Sequence, residues 1–350
     1  MKGQCYGTCF HEQFMKDKQK EEKMRRVGLD VGYGYTKAMD DKQVICFPSI
    51  ISPVVELKFK SWEEHPNPYP DHLAITLEGE TFFVGNLAMH QGRFAYATLN
   101  RLRTQTREYR LLFLTALSLC LQSPEEELFI VTGLPVDDYE DRDLIEERLS
   151  GRFKLRVGRR EVSFVIRQLT VVPQPCGAYM DLVFRDTLGH VNEEYTQSLV
   201  GVMDIGYKTT DFVLVRENQY VEKLSGSLKK GMSHIYQAAV SKLSAAYRGN
   251  WDLRSAEEAI QKGMISRLGE QIMVDPTLFE PDLAGLAQEI AAWIHQRWED
   301  QMLDGLVCGG GGSILLKPHL LKVFPKMTFV ESPQTVNVQG FYKGAWYFYG

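Results

Sequence analysis

The chain has 350 residues, 44% of them apolar, and a formal net charge of -5, which is enough for one large or two medium cores and so for a bilobal protein. A pI near 6.0 provides no overall positive field, so direct nucleic-acid binding is not expected. Six cysteines without a Cys-x-x-Cys pair argue against a zinc site or a secreted disulfide framework and favour a reduced cytoplasm, while no apolar run is long enough to cross a bilayer.

Residues 1–25 read as a solvated extension: His11, Glu12, Lys16, Asp17, Lys18, Lys20, Glu21, Glu22, Lys23 and Arg25 crowd it, and it has no apolar signal-peptide core. Cys5 and Cys9 read there as free thiols. The apolar run Val27-Gly28-Leu29 then leads into Asp30 and the Gly32-Tyr33-Gly34 turn, with a return strand through Tyr35-Thr36-Lys37. Strand is expected to continue over 45–51. Trp62, His65, Pro66, Pro68 and Pro70 exclude regular structure from the next stretch, and strands over 73–77 and 81–84 flank a Glu78-Gly79-Glu80 turn. A helix over 106–121 precedes a buried strand over 127–131, whose exit Thr132-Gly133-Leu134-Pro135 lies where open α/β sheets bind ligands. A helix over 143–149, a hairpin over 153–157 and 162–169, and a helix over 177–184 linking two lobes follow.

At Gly201-Val202-Met203-Asp204-Ile205-Gly206-Tyr207-Lys208-Thr209-Thr210-Asp211 the first pattern returns: apolar strand, aspartate, glycine turn, return strand. An excursion over 231–294 reads as mostly helical, with Leu286, Ile290, Ile294, Trp298 and Met302 recurring every fourth residue as one apolar face. Leu306-Val307-Cys308 then enters Gly309-Gly310-Gly311-Gly312, and a last helix carries Phe341, Trp346 and Phe348. Backbone at a glycine turn can come close to a ligand and present N–H groups, and aspartate is a hard oxygen ligand, so two such turns suit a triphosphate with Mg²⁺. Four successive glycines exceed what a turn needs, which points to close approach of backbone to a flat ligand such as a nucleoside.

These three elements resemble the phosphate-1, phosphate-2 and adenosine motifs of the actin, chaperone-ATPase and sugar-kinase superfamily. Phe47-Pro48-Ser49, Val131-Thr132-Gly133-Leu134-Pro135, Val172-Pro173-Gln174-Pro175 and Asn337-Val338-Gln339-Gly340-Phe341 bring the chain nearest to the prokaryotic actin-like ATPases of the ParM group and the archaeal actins. The resemblance implies an α/β, two-lobed actin-like ATPase fold, with two RNase H-like domains around a central nucleotide cleft. Domain I would hold 26–180 plus 333–350, with a small inserted subdomain at about 48–100. Domain II would hold 181–332, with a helical inserted subdomain at about 229–300.

It also implies ATP, or GTP, with Mg²⁺. Asp30 and Asp204 would hold the ion through waters, and Lys37 would reach the β- and γ-phosphates. The phosphates would lie against the backbone N–H groups of Gly32, Tyr33, Gly34, Gly206, Tyr207 and Lys208, with the Thr209 hydroxyl assisting; Tyr35 and Thr36 complete the first turn, and Gly309, Gly310, Gly311 and Gly312 flank the nucleoside. Lys208 stands where many relatives have glycine. Gln174 would orient the attacking water, with Asp204 and Asp211 as further catalytic carboxylates; a glutamine cannot act as general base, so slow turnover is expected. By resemblance, the function is a nucleotide-dependent filament that moves or segregates plasmid DNA through an adaptor protein, with the chain itself as its main partner, in the cytoplasm. A small-molecule kinase using Asp137 or Asp138 as base, and a non-polymerising actin-like scaffold, are the alternatives.

Overall fold

A computed structural model of the chain describes residues 24–55, 69–92, 96–97, 101–123, 125–267 and 269–350. The expectations for residues 1–23 of the charged extension, for Cys5 and Cys9, and for the proline-rich stretch at Trp62, His65, Pro66 and Pro68 lie outside the described residues; Arg25, read as part of that solvated extension, is instead only 9% exposed in the first strand, with its Nε donating to Glu126 Oε2 at 2.7 Å.

The first lobe is built on β1 (Met24–Val31), β2 (Tyr35–Met39) and β3 (Val44–Pro48), extended by β4 (Ile50–Pro53), β5 (Ala74–Leu77), β6 (Glu80–Val84), β7 (Tyr96–Ala97), β8 (Glu126–Leu134), β9 (Gly151–Val157) and β10 (Arg160–Pro173). Their order in one sheet is β3-β2-β1-β8-β10-β9-β5-β6-β4-β7. The second lobe uses β11 (Leu199–Ile205), β12 (Thr210–Arg216), β13 (Gln219–Tyr220), β14 (Gly226–Leu228), β15 (Met264–Arg267), β16 (Glu270–Met273), β17 (Gly305–Gly309) and β18 (Thr328–Phe329). Its main sheet runs β13-β12-β11-β17-β18, with β14 also on β12.

The two sheets share one plan. In the first, β1 lies antiparallel to β2 and parallel to β8; in the second, β11 lies antiparallel to β12 and parallel to β17. Central strands of this kind are covered on both faces and are therefore apolar nearly throughout. Along β11 and β12 the alternation sorts the side chains: Val200, Val202, Val213 and Val215 pack on one face, and Met203, Ile205, Phe212 and Leu214 on the other. The two-lobed α/β arrangement that the resemblance implies is what the strand order shows.

The helices are α1 (Asn86–Gln91), α2 (Arg107–Cys120), α3 (Arg142–Leu149), α4 (Cys176–Val183), α5 (Glu193–Thr196), α6 (Met232–Ala246), α7 (Leu253–Lys262), α8 (Glu280–Trp298), α9 (Ser313–Val323) and α10 (Val336–Tyr349). The Thr106 side chain caps α2 by accepting from the Tyr109 N–H, as its position before an apolar helix suggests. Helices α4 and α10 carry the chain between the lobes. Val336 at the start of α10 packs with the second sheet, whereas Phe341 and Ala345 pack on Val131 of the first.

Three local expectations change. The strand over 45–51 is two strands broken at Ser49: β3 pairs with β2, whereas β4 pairs with β6 and β7. Ser49 turns aside to hold the first glycine corner, with its N–H donating to the Gly34 carbonyl at 2.9 Å and its hydroxyl to the Gly32 carbonyl at 2.7 Å. The excursion over 231–294 contains the hairpin β15–β16; its strands are four residues each and largely exposed, so they show no periodicity. The stripe on α8 ends at Trp298, and Met302, 91% exposed, lies beyond the helix and outside the core.

Candidate functional site

Each sheet ends in a matching corner. In the first, Asp30 stands opposite Lys37 in the ladder, and the Gly32 N–H closes the hairpin onto the Tyr35 carbonyl at 3.1 Å. In the second, Asp204 stands opposite Asp211, and the Gly206 N–H closes onto the Thr209 carbonyl at 2.9 Å. The N–H groups of Gly32 and Gly206, expected to bind phosphate, are thus used inside the turns. The two corners touch across the lobes: a Cβ on Gly34 would lie 3.1 Å from the Tyr207 ring.

Between them opens a cleft of about 310 Å³, in the range of small-molecule sites. Asp30, Gly32, Tyr33, Gly34, Tyr35 and Lys37 line it from the first lobe, together with Gln174. Asp204, Gly206, Tyr207, Thr209 and Asp211 face them from the second, and Gly310, Gly311 and Gly312 close one end. Three expected residues lie off this wall. Thr36 is fully buried and its hydroxyl pairs with that of Ser49 at 2.9 Å; Lys208 places Nζ 4.7 Å from the Tyr33 ring centroid; Gly309 belongs to β17.

The glycine run has a structural cause that its sequence alone does not reveal. Gly310 has φ +81, and a Cβ there would lie 2.1 Å from Asp204 Oδ1 and 2.5 Å from the Ile205 carbonyl oxygen. On Gly312 it would lie 2.6 Å from Ile205 Cγ2. Packing against the second corner therefore demands these glycines, which corrects the inference that nothing but a flat ligand requires them.

The carboxylates carry the electrostatics. Lys37 Nζ donates to Asp30 Oδ2 at 3.2 Å, and Gln174 Nε2 donates to Asp30 Oδ1 at 3.1 Å. Burial works against the Lys37 charge, but Asp30 and Asp204 outweigh it and hold its pKa above the ordinary lysine value. Burial, reinforced by Asp30 and Asp211, pushes Asp204 up to about 7 against the pull of Lys37 and Asn337. Burial also pushes Asp211 up to about 6. Buried carboxylates this close to one another are poorly compensated by one lysine, and a hard divalent cation held through waters fits that donor set.

Asp211 is more engaged than expected of a catalytic carboxylate. Oδ1 accepts from the Val136 N–H of the first lobe at 3.0 Å and from the Ser227 hydroxyl; Oδ2 accepts from Thr209 Oγ1 at 2.7 Å. It ties the floors of the two lobes together. Asp137 Oδ1 accepts from the Ser227 N–H at 3.2 Å, and Asp138 accepts from the Tyr33 hydroxyl at 3.3 Å, so neither residue proposed as a kinase base is unengaged.

Several wall residues escaped the sequence. Met232 and Tyr236 of α6 and Glu257 and Gln261 of α7 also line the cleft, with Gln261 Nε2 donating to Glu257 Oε1 at 3.1 Å. They sit in the inserted helices, where amphipathic spacing looks like core packing. Arg103, 2% exposed, donates to the Val31 carbonyl and lies 3.9 Å from the Tyr33 ring centroid; it rests behind the first corner with no motif around it. Asn337 faces Asp204 from α10, and its only signal was the Asn-Val-Gln-Gly stretch.

Residues 28–177 match the family model for the N-terminal domain of actin-like proteins, and residues 202–322 match that for the C-terminal domain of archaeal MreB-like actin homologues. Among solved structures, the chain is similar to a 15-stranded ParM filament from Clostridium botulinum, at TM-score 0.75 and 20% identity over 92% of this chain and 99% of that one. It is similar to Ta0583, an archaeal actin homolog, in complex with ADP, at TM-score 0.74 and 22% identity over 92% and 99%. It is also similar to a non-polymerisable quadruple mutant of pCBH ParM, at TM-score 0.71 and 22% identity over 92% and 98%. These three likenesses concern the fold. No curated protein matches. With family matches in both lobes, over residues 28–177 and 202–322, the chain belongs to the actin-like proteins.

Proposed function

We propose that this protein is a slow ATPase that assembles head to tail into filaments under control of the nucleotide in its cleft, and that the filament moves or segregates plasmid DNA through a DNA-binding adaptor protein in the cytoplasm. The observation that carries the reading is the meeting of two equivalent corners, Asp30 with Lys37 and Asp204 with Asp211, on one cleft between the lobes. Likeness to a ParM filament and to an ADP complex supports assembly and a purine nucleotide; ATP is the nucleotide we favour over GTP. Among the described residues, no helix is long and apolar enough to cross a membrane.

The residues divide the work. Lys37, now paired with Asp30, supplies the positive charge for the terminal phosphates, and the N–H groups of Tyr33, Gly34 and Tyr207 face them from both lobes. A magnesium ion held through waters by Asp30 and Asp204 would neutralise charge on the phosphate oxygens. Gln174 has its Nε2 fixed on Asp30, which leaves Oε1 to accept a hydrogen bond from water and hold it in line. Since an amide takes up no proton, the step stays slow, which suits a timer: nucleotide draws the lobes together and favours a heterologous contact that does not close on itself, and hydrolysis loosens it.

Gln174→Ala is expected to slow phosphate release roughly tenfold to a hundredfold while leaving nucleotide uptake and assembly intact; single-turnover phosphate release checks it, and an unchanged rate removes Gln174 from the step. Sedimentation with electron microscopy tests the function itself. Material is expected in the pellet with ATP and Mg²⁺, and in the supernatant with chelator or after Asp30→Ala. Turnover without pelleting would instead identify a scaffold, and turnover stimulated by sugars or other alcohols a kinase.

A further inference from the structure

Asn337 is the second residue of α10 and is 6% exposed. Its Nδ2 donates to Asp204 Oδ2 at 2.7 Å, and its Oδ1 accepts from the Ala178 N–H at 3.2 Å. Ala178 lies in the first turn of α4, so one side chain joins three segments: the helix that leaves the first lobe, the helix that returns to it, and the aspartate at the end of β11. The crossing helices are in backbone contact there. A Cβ on Gly177 would lie 2.6 Å from Asn337 Cα, and one on Gly340 only 1.7 Å from the Gly177 carbonyl oxygen.

The two partners also fix which way the amide faces. An ionised carboxylate needs a donor and a backbone N–H needs an acceptor, so flipping the amide would break both bonds. Aspartate at this position would set carboxylate against carboxylate, and leucine would leave both partners unsatisfied in a buried place.

We infer that Asn337 is a positioning residue that locks Asp204 to the pair of crossing helices, so that the cleft carboxylate and the hinge move as one. Opening or closing of the lobes then reaches the nucleotide through this amide, and occupation of the cleft reaches the hinge by the same route. The inference rests on the nucleotide reading above and adds to it the residue through which site and hinge communicate.

A double-mutant cycle on the full chain tests it, with Asn337→Ala and Asp204→Asn made singly and together. Calorimetry with ATP and Mg²⁺ reads affinity, small-angle scattering reads lobe closure, and the melting midpoint reports that each variant is folded. Asn337→Ala is expected to weaken uptake about tenfold in the native background and less than twofold when Asp204 is already Asn, because the amide acts through that carboxylate. The scattering change on nucleotide addition should shrink in Asn337→Ala. Should that variant fail to fold, Asn337→Ser runs the same cycle with less loss of polarity. Equal losses in both backgrounds, or full closure with unchanged affinity in the Asn337 variant, would overturn the inference while leaving nucleotide binding in place. No uptake by the native chain would bring down the nucleotide reading and this inference with it.

Discussion

Asp204→Asn is expected to raise the melting midpoint of the ligand-free protein at pH 7.5 by a few degrees, on the order of 1–2 kcal/mol, while reducing, without removing, the added stability that ATP and Mg²⁺ give the native chain. The sign follows from proton binding. Asp204 titrates at about 7 in the fold, against 3.8 for a free aspartate, so between those pH values the folded chain holds a proton that the unfolded chain has lost. Stability from this group therefore falls as pH rises from about 4 to 7 and stays low above. Asp211, pushed up to about 6, adds to the slope in the same direction.

Asparagine removes the charge but keeps an oxygen to accept from Asn337, so the variant's advantage should be largest above pH 7 and fade towards pH 4. Thermal melts of both proteins across pH 4–8, with and without nucleotide, check this. A variant less stable than the native chain at pH 7.5 would mean that the charge is compensated within the protein, and the case for a cation there would go with it.

What the sequence disclosed and what it hid follow a physical division. The two corners were legible because their chemistry is local: an aspartate at a strand end and a glycine two residues on set both the turn and the direction of the carboxylate, and the resulting hairpins match. The long apolar run within 106–121 announced α2, and the fourfold spacing through Trp298 announced α8. Ser49 was quoted in a motif, yet its task, breaking a strand to hold the Gly32 and Gly34 carbonyls, depends on where β4 finds its partners. Glu257 and Gln261 reach the cleft only because the inserted helices fold back over it. Gly310 and Gly312 pointed to a ligand from their sequence, whereas the contact they allow is with Asp204 and Ile205; a glycine says that something is close, not what it is. Residue-level roles in the cleft depend on such long-range partners, and they are where sequence reading runs out.

Gly340→Ala is expected to lower the melting midpoint by roughly 5–10 °C and to weaken nucleotide-dependent closure. The added methyl would lie 1.7 Å from the Gly177 carbonyl oxygen, 2.7 Å from its carbon and 2.9 Å from the Asp181 N. All three are backbone atoms of α4, so no rotamer change makes room and the whole helix must move. That movement would pull Ala178 away from Asn337 and loosen Asn337 from Asp204. Overpacking and loss of the buried hydrogen bond thus act together, and the damage spreads from the hinge into the cleft. Gly285 on α8 supplies the control, since a Cβ there meets nothing within 4 Å; Gly285→Ala should stabilise the protein by about 0.5–1 kcal/mol through helix propensity alone. If both variants melt within a degree or two of the native chain, α4 and α10 are not in rigid contact, and the lobes must be joined more loosely than the packing of Gly177 on Gly340 requires.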